Sequence, residues 1–264
     1  MPNDRPRILI TGANGPLGCE VSGIAVSEGM SIVGSSRNMV PAGFPGEWRQ
    51  FDLLNQASVS EALEGIDIVI HCASVVAHPE QDTAALTCLI SAAQIHKCRL
   101  NYVSICGIDE AAQFLPYYRM KVDNEEMLLR SGLSVKVIRI AQFHPFVSMI
   151  VSQLIVGPLA LCPRFSLQPV DISYAASQLL EHSLQAGSEP VVNVCGPEVI
   201  NSGELITSWC RMKGIRKLVV PFPSVSRLRA LRTIITRPGE GGGKRWHEWL
   251  ETARQDNHYP EKRL

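Results

Sequence analysis

The sequence predicts an α/β fold built on a doubly wound parallel sheet, with a small α+β lobe in its C-terminal part. From position 7 onward, apolar runs typical of buried strands alternate with helical segments of about 10–15 residues. A glycine-rich turn joins the first strand to the first helix, and the chain of 264 residues is long enough to bury a full core. Ligands of such sheets bind at the carboxyl ends of the strands, so we expect the site there.

The composition is typical of a globular protein whose partner is a small molecule. Hydrophobic residues make up 45% and charged residues 19%, and 25 Lys+Arg balance 25 Asp+Glu. This balance argues against a nucleic-acid or membrane partner. No apolar run is long enough for a signal peptide or a membrane span, so we expect a cytoplasmic protein. The eight cysteines include no C-x-x-C pair, and we expect no metal site.

The glycine-rich turn reads T-G-A-N-G-P-L-G over residues 11–18 and follows the apolar run at 8–10. Glycine permits positive φ and lets a pyrophosphate approach the backbone, and the start of a helix attracts an anion. A dinucleotide is therefore the expected ligand, because a turn that only connects a strand to a helix does not need three glycines. The turn supplies the first predicted cofactor residues, Gly12, Asn14, Gly15, Pro16, Leu17 and Gly18.

The remaining elements are predicted from apolar runs for strands and from helical spacing with caps for helices. Asp171 and Ser202 are candidate N-caps, and Trp246 and Trp249 would pack the last helix onto the protein. The predicted strands are 8–10, 30–35, 48–53, 66–72, 100–104, 135–140, 191–195 and 217–222, with a short strand within 163–171. The predicted helices are 16–28, 56–63, 83–97, 116–131, 145–156, 172–184, 202–213 and 244–250, with a flexible linker at 239–243 and a frayed tail at 255–264.

We assign residues 1–156 to a dinucleotide-binding core and residues 157–264 to the C-terminal lobe and tail, with some strands of the second part completing the core sheet. The second strand ends in S-S-R-N, with no acidic residue from 31 to 38. In dinucleotide folds an acidic residue there binds the ribose 2′-hydroxyl, whereas a basic one accepts a 2′-phosphate. Ser36 and Arg37 therefore favour NADP(H) over NAD(H), although a solvated loop arginine is the alternative.

Two further strand ends supply predicted cofactor contacts. Asp52 and Leu53 end the third strand, where a carboxylate can accept a hydrogen bond from the adenine amino group, although an ordinary helix-start aspartate is the alternative. After the fourth strand come the small residues Cys72, Ala73 and Ser74, which would let a cofactor pass close.

The catalytic candidates are Ser104, Tyr117 and Lys121. Ser104 ends the fifth strand, and Tyr117 and Lys121 are four residues apart in the helix that Pro116 opens, so they share one helical face. A nearby ammonium group brings the pKa of a tyrosine closer to neutral pH and can also bind the nicotinamide ribose. A serine would hold the substrate oxygen. Tyr118 points about 100° away from that face.

These motifs resemble those of a known family. T-G-x-x-G-x-x-G resembles the glycine motif of extended and atypical short-chain dehydrogenases/reductases. Residues 100–147, with V-S-I-C-G-I-D, Y-Y-R-M-K, S-G-L and V-I-R-I-A-Q-F, resemble the atypical group that includes NmrA-like proteins and bacterial NAD(P)H-binding reductases. The similarity covers residues 7 to 200, and His71 stands where relatives often carry an asparagine.

The resemblance implies a Rossmann-type domain that binds NADP and a small substrate-binding lobe. Some members reduce carbonyls, quinones or imines, and others bind NADP without turnover and act as sensors. Many atypical members lack the Tyr/Lys pair that this chain keeps. By the same resemblance, Phe143 and His144 are candidate substrate contacts, although packing is the alternative for His144, and a homodimer is expected.

Three functions follow. The first is an NADPH-dependent reductase of a small carbonyl compound, with Tyr117 as general acid, Lys121 tuning it and Ser104 polarising the substrate oxygen. The second is an NADP(H)-binding regulator without turnover. The third is a nucleotide-sugar epimerase or dehydratase, ranked last because the chain is short for a large sugar-nucleotide lobe.

Overall fold

The computed structural model describes residues 5–113, 115–185, 187, 189–222 and 241–255. The start of the predicted glycine linker, 239–240, and the tail after residue 255 lie outside these ranges. The strands are β1 Arg7–Thr11, β2 Ser31–Ser36, β3 Glu47–Gln50, β4 Ile68–His71, β5 Arg99–Ile105, β6 Val135–Ile140, β7 Ile155–Val156, β8 Leu159–Pro163, β9 Ser166–Leu167, β10 Val191–Val194, β11 Ile200–Asn201 and β12 Leu218–Phe222. The helices are α1 Pro16–Ser27, α2 Gln56–Ala62, α3 Pro79–His96, α4 Ile108–Ala111, α5 Pro116–Leu129, α6 His144–Gln153, α7 Ile172–Leu184, α8 Ser202–Met212 and α9 Trp246–Gln255.

The predicted fold class is confirmed by a central sheet of seven parallel strands in the order β10-β6-β5-β4-β1-β2-β3. The chain leaves β1 for β2 on one side and later returns to β4 on the other. Strand order therefore reverses at β1, and this reversal opens a crevice at the carboxyl ends of the strands. Thr11, the last residue of β1, is level with Ser35 in β2 and with His71 in β4.

The chain divides into two compact units that interleave along the sequence. Among the described residues, the first unit comprises residues up to 104, 116–139 and 176–192. Its core lies around the central strands and α2, α3 and α5, with Leu9, Val69 and Leu100 fully buried. The second unit comprises 105–115, 140–175 and the described residues from 193 onward. The domain boundary at residue 156 remains a prediction.

The second unit contains two small sheets and the helices around them. In one sheet β8 pairs in parallel with β12 and antiparallel with β7, and in the other β9 pairs antiparallel with β11. The indole N–H groups of Trp209 and Trp246 donate to Ser148 and Ser208, each at 2.9 Å. These bonds satisfy the polar atom of each buried indole, and Trp246 anchors α9 as the sequence predicts.

Several predicted boundaries were wrong for local reasons. Helix α8 is capped by Asn201 and not by Ser202, because the Asn201 Oδ1 accepts the Glu204 N–H at 3.0 Å. Strand β3 ends at Gln50, since Asp52 turns the chain by accepting the Leu54 N–H. The helix predicted at 145–156 ends at residue 153, and its last residues form β7 instead.

Two more helices differ from the sequence-based prediction. Helix α3 begins at Pro79 and not at residue 83, with two acidic side chains, Glu80 and Asp82, in its first turn. Proline suits the first turn of a helix, and acidic groups there are stabilised by the helix dipole. The short helix α4 was not predicted. Within the described residues, no helix is long and apolar enough to cross a membrane.

Candidate functional site

The glycine turn between β1 and α1 has the shape that the sequence predicts, and two of its glycines are sterically required. Gly12 has φ +67°, and a Cβ there would lie 2.8 Å from the Ala73 backbone. A Cβ on Gly18 would collide with the Gly12 carbonyl and lie 2.9 Å from the Ala13 Cα. A Cβ on Gly15 would contact only the Gly12 carbonyl, at 3.2 Å. Glycine at positions 12 and 18 therefore allows the backbone of the turn to pack closely. Glycine at position 15 leaves the side of the turn that faces the cleft open.

The start of helix α1 suits an anion. Gly15 caps the helix without any side-chain hydrogen bond, and the first turn contains no acidic residue. Pro16 occupies the first turn, where its missing N–H removes no helical hydrogen bond. The free N–H groups and the dipole of such a helix start favour a phosphate group.

A cleft of about 340 Å³ lies at the carboxyl ends of β1, β2 and β4. Three of the predicted cofactor residues do not line it, namely Leu17, Gly18 and Lys121. Leu17 is buried in the core, and Gly18 packs against Gly12 and Ala13 of the turn. The predicted residues that line it are Gly12, Asn14, Gly15, Pro16, Ser36, Arg37, Asp52, Leu53, Cys72, Ala73 and Ser74. The turn, the helix start and this lining fit a dinucleotide.

At one end of the cleft, Arg37 is exposed and lies on a turn that β2 and β3 hold in place. Its carbonyl accepts the Gln50 side-chain N–H at 2.9 Å, and the Asn38 N–H donates to the Ser36 Oγ at 3.0 Å. The exposed Asp52 uses one carboxylate oxygen for the Leu54 N–H. We name Ser36, Arg37 and Asp52 the Arg37 end.

At the other end, side chains from three segments form one hydrogen-bonded chain. The Ser74 Oγ lies 2.9 Å from the Tyr117 hydroxyl and donates to the Asp82 Oδ2 at 2.5 Å. The other Asp82 oxygen accepts the Val75 N–H at 2.7 Å. Asp82 is 5% exposed and Tyr117 is half-buried. We name Ser74, Asp82, Tyr117 and Lys121 the Tyr117 end.

The Lys121 ammonium group lies close to these hydrogen-bonded side chains. The Lys121 Nζ lies 4.0 Å from the Asp82 Oδ2 and donates to the Val103 carbonyl at 3.2 Å. It also lies 4.6 Å from the ring centroid of Tyr102 and 5.7 Å from that of Tyr117. With 4% of its surface exposed, Lys121 supplies a desolvated positive charge, which acts more strongly than a charge in water.

Ser104, the second-last residue of β5, has a hydroxyl without a hydrogen-bond partner among the described residues. It is 2% exposed. A buried hydroxyl of this kind is rare in native proteins and calls for a partner. Its position near the carboxyl end of β5 is compatible with the predicted role of holding a substrate oxygen, which remains a prediction.

Two groups beside the Tyr117 end are neutral. Burial, with a smaller contribution from Lys121, lowers the pKa of His71 to about 3, and its Nδ1 lies 2.7 Å from the Thr11 hydroxyl. Burial raises the pKa of the Cys72 thiol to about 12 in spite of Lys121. His71 is thus a packed neutral ring that stacks on Tyr102, and Cys72 does not act as a thiolate.

The neighbouring tyrosine is a poorer candidate for proton transfer. Tyr118 is 8% exposed, and burial, with a smaller contribution from Tyr117, raises its pKa to about 12. Its ring centroid lies 6.0 Å from that of Tyr117. Of the two tyrosines, only Tyr117 has its hydroxyl on Ser74, a residue that lines the cleft.

The candidate substrate residues Phe143 and His144 belong to the second unit. His144 has no exposed surface, and its ring centroid lies 5.8 Å from that of Trp246 and 5.5 Å from that of Trp249. Burial, with a smaller effect of Lys244, lowers its pKa to about 3. These contacts favour the packing role for His144. Phe143 is half-buried and precedes α6.

Sequence reasoning missed the residue at the centre of the Tyr117 end, Asp82. An acidic residue in the first turn of a helix is common, so its type carried no signal. Thr11, Gln81 and Ala85 also line the cleft and were not predicted to do so. Among the described residues, no group of three or more His, Cys, Asp or Glu side chains could hold a metal ion.

Comparison with known families gives the class of the protein. A family described as NAD(P)H-binding matches residues 12–145, which is about half of the chain. The chain belongs to this NAD(P)H-binding family. The matched segment contains residues 12–18 of the glycine turn, the predicted residues that line the cleft, Ser104, Tyr117 and Lys121. The predicted membership of the NAD(P)H-binding group is confirmed.

A curated relative is similar over part of its length. Photosystem II assembly factor Ycf39 of Cyanophora paradoxa is 31% identical over 146 residues, which are 52% of this chain and 45% of the relative. The chain therefore matches less than half of that protein's length.

Solved structures share the fold of this NAD(P)H-binding protein at low identity. The Bordetella bronchiseptica enzyme WbmG in complex with NAD and UDP is 17% identical, with a TM-score of 0.77 over 96% of each chain. A nucleoside-diphosphate-sugar epimerase of Staphylococcus aureus is 17% identical, with a TM-score of 0.75 over 93% of this chain and 99% of that one. A short-chain dehydrogenase/reductase superfamily protein of Agrobacterium tumefaciens with bound NAD is 19% identical, with a TM-score of 0.72 over 95% and 97%. The shared fold is that of NAD(P)-binding oxidoreductases and epimerases.

Proposed function

We propose that this protein is an NADP(H)-dependent reductase of a small carbonyl compound. The observation that carries the proposal is the Tyr117 end, where a half-buried phenol lies 2.9 Å from Ser74 and 5.7 Å, measured at its ring centroid, from a desolvated ammonium group. The unsatisfied Ser104 hydroxyl supplies a second group of the kind that a carbonyl oxygen needs. A phenol, an ammonium and a serine hydroxyl together are suited to proton donation to a reduced carbonyl.

The cofactor is proposed to lie along the cleft. Gly12, Gly15 and the start of α1 would hold its pyrophosphate, and Arg37 would bind a 2′-phosphate with its planar guanidinium group. When bound, a reduced nicotinamide supplies a hydride to the carbonyl carbon. Arg37 is exposed, and residues 31–38 contain no acidic residue to bind a free 2′-hydroxyl, which supports NADP(H) over NAD(H).

The chain's own residues supply the proton and the charge. Tyr117 gives its hydroxyl proton to the substrate oxygen and becomes a phenolate. The buried Lys121 ammonium, 5.7 Å from the Tyr117 ring centroid, stabilises this phenolate. Ser104 donates a hydrogen bond to the substrate oxygen and so holds it in place.

The test begins with calorimetric titration of the wild-type protein with NADP, NADPH, NAD and NADH, repeated on Arg37→Ala. NADPH consumption is then followed on ketones, quinones and imines for the wild type, Tyr117→Phe and the matched control Tyr118→Phe. We expect a preference for the phosphorylated cofactors that Arg37→Ala removes. Tyr117→Phe should lower kcat by about 10²- to 10⁴-fold, and Tyr118→Phe should keep kcat within about twofold of the wild type.

Each part of this proposal has an outcome that contradicts it. Equal affinity for NAD and NADP would overturn the cofactor assignment. Wild-type turnover in Tyr117→Phe would overturn the general-acid assignment.

A second candidate is an NADP(H)-binding regulator without turnover. It is favoured by the similarity to a relative named as an assembly factor. Tight NADP(H) binding with no turnover on the whole panel would favour it.

The epimerase or dehydratase alternative uses the same residues. The S. aureus epimerase is covered over 99% of its length, so chain length does not argue against this alternative. An NAD that stays bound through purification would favour it.

A further inference from the structure

The second unit contains a cavity of about 410 Å³ beside the end of α8. Three cations line it: Arg211 lies in the last turn of α8, and Arg216 and Lys217 lie directly before β12. No acidic residue lines the cavity within the described part of the chain. Sites for small molecules have volumes of about 300–1,000 Å³. The cavity therefore has the size of a ligand site and a positively charged wall.

The charges of the whole chain cancel, but those around this cavity do not. Residues 205–222 contain four Lys and Arg residues, at positions 211, 213, 216 and 217, and no Asp or Glu. The balanced composition thus hides a local positive excess in α8, β12 and the turn between them. A concave surface that carries one sign of charge attracts ligands of the opposite sign.

The two arginines of the cavity are not neutralised by a carboxylate. Both are exposed, and neither Arg211 nor Arg216 forms an ion pair or a side-chain hydrogen bond among the described residues. By contrast, the exposed Arg130 forms an ion pair at 3.3 Å with a carboxylate four residues earlier. The Lys217 ammonium donates to the Gly157 carbonyl at 2.6 Å, which holds it in place but leaves its charge and two further hydrogens available.

The needs of helix α8 do not account for these cations. A cation in the last turn of a helix stabilises the helix dipole, and Arg211 is placed to do so. The backbone N–H groups of residues 213–215, however, already donate to carbonyls of the last turn, at 3.0–3.1 Å. Gly214 ends the helix with φ +67°, and Arg216 and Lys217 follow this turn. The helix dipole therefore explains Arg211 at most.

We propose that this cavity binds a small phosphorylated compound, with Arg211, Arg216 and Lys217 holding its phosphate group. A guanidinium group presents N–H donors in a planar fork that matches phosphate oxygens, and an ammonium group adds a point charge. The wall also includes the apolar side chains of Ile215 and Val219, which favour a ligand with an apolar organic part. Every lining residue belongs to the second unit, so the proposal does not depend on the reductase function.

An anionic lipid headgroup has the same phosphate chemistry. Leu218, which follows Lys217, is 66% exposed, so a membrane surface is a second source of a phosphate group. The cations line a cavity, whereas a bilayer presents a broad surface that binds through a large apolar area. These features favour a free compound, and the experiment includes both sources.

The first measurement is calorimetric titration of the full chain at low salt with phenyl phosphate and with inorganic pyrophosphate. We expect both probes to bind, and to bind more weakly as salt is added. Arg211→Gln and Arg216→Gln should each weaken binding by about tenfold, and Arg216→Lys, which keeps the charge but not the fork, by less. The matched control Arg130→Gln removes an exposed cation elsewhere and should keep the affinity within about twofold.

A second control separates this cavity from the proposed cofactor cleft, which also suits phosphate. Arg37→Gln removes the exposed arginine of the cleft and should leave the affinity for phenyl phosphate unchanged. In ¹⁵N-labelled protein, the probe should shift the backbone amide signals of residues 214–217. Affinity that is lost in Arg37→Gln but kept in Arg211→Gln and Arg216→Gln would overturn the inference and leave the proposed function intact. No binding of either probe at millimolar concentration would also overturn it.

Sedimentation with vesicles tests the lipid source. Phosphatidylglycerol vesicles carry the anionic headgroup, and phosphatidylcholine vesicles are the control. We expect equal sedimentation of the protein with both. Sedimentation with phosphatidylglycerol that Arg216→Gln abolishes, together with no binding of the soluble probes, would overturn the assignment to a free compound.

Discussion

The two ends of the cleft are built differently, and the difference shows which parts of a site a sequence can reveal. At the Arg37 end, Arg37 and Asp52 are exposed, and the turn is held by hydrogen bonds from the Gln50 side chain to the Arg37 carbonyl and from the Asn38 N–H to the Ser36 Oγ. The Tyr117 end consists of side chains that bond to one another, two of them at least 95% buried. Replacing the exposed Arg37 side chain should therefore disturb few other residues. Replacing a side chain of the Tyr117 end should also disturb the side chains that it contacts.

The largest expected effect on stability is at the Tyr117 end. Lys121→Met leaves the Asp82 carboxylate buried without its cation, and breaking a buried pair in this way costs about 3 kcal/mol. The matched change Arg37→Met removes an exposed cation and should alter the free energy of unfolding by less than about 0.5 kcal/mol. Urea unfolding of both variants measures the difference.

The coupling between Lys121 and Asp82 sharpens this comparison. Adding Asp82→Asn to Lys121→Met removes the unpaired charge, so we expect the double variant to recover part of the lost stability. Strictly additive losses would mean that Lys121 and Asp82 do not form a coupled pair.

A smaller effect is expected at the glycine turn, which both ends share. A Cβ on Gly18 would collide with the Gly12 carbonyl, so Gly18→Ala should destabilise the protein by about 1–3 kcal/mol and weaken cofactor binding. Gly23 is on the same helix, where an added Cβ would meet nothing within 4 Å, and Gly23→Ala should stabilise by about 0.5–1 kcal/mol. Thermal unfolding and cofactor titration of both variants test this difference. Equal changes in stability for Gly18→Ala and Gly23→Ala would contradict the packing role of Gly18.

Local patterns were enough to predict the fold and part of the cleft lining. Apolar runs, the helix that Pro116 opens and the glycine turn depend on neighbours in sequence, and the central sheet follows from their alternation. Arg37 was predicted because a residue type at a strand end has meaning by itself. Its position after β2 can be predicted without knowing that the Gln50 side chain holds the turn.

The chain from Tyr117 through Ser74 to Asp82 could not be predicted in the same way. Its members come from α5, the segment after β4 and the first turn of α3, and they meet only when these segments pack. Ser74 was predicted as a cofactor contact from its place after a strand, but its bond to Asp82 depends on where α3 begins. Since the predicted helix began four residues late, at 83, Asp82 was left outside it.

The smallest expected effect is on acid stability at the Tyr117 end. The pKa of His71 is about 3 in the folded protein and about 6.5 in an unfolded chain, so the folded state binds fewer protons between these values. The contribution of neutral His71 to the free energy of unfolding is nearly complete above pH 6.5 and is lost as the pH falls toward 3, by about 1.4 kcal/mol at pH 5.5. His71→Asn removes the titrating ring and should flatten this part of the profile, whereas His78→Asn, at an exposed site, should leave it unchanged. Urea unfolding at pH 7.5 and 5.5 measures both, and an acid loss that persists in His71→Asn would place its origin in another buried group, such as His144.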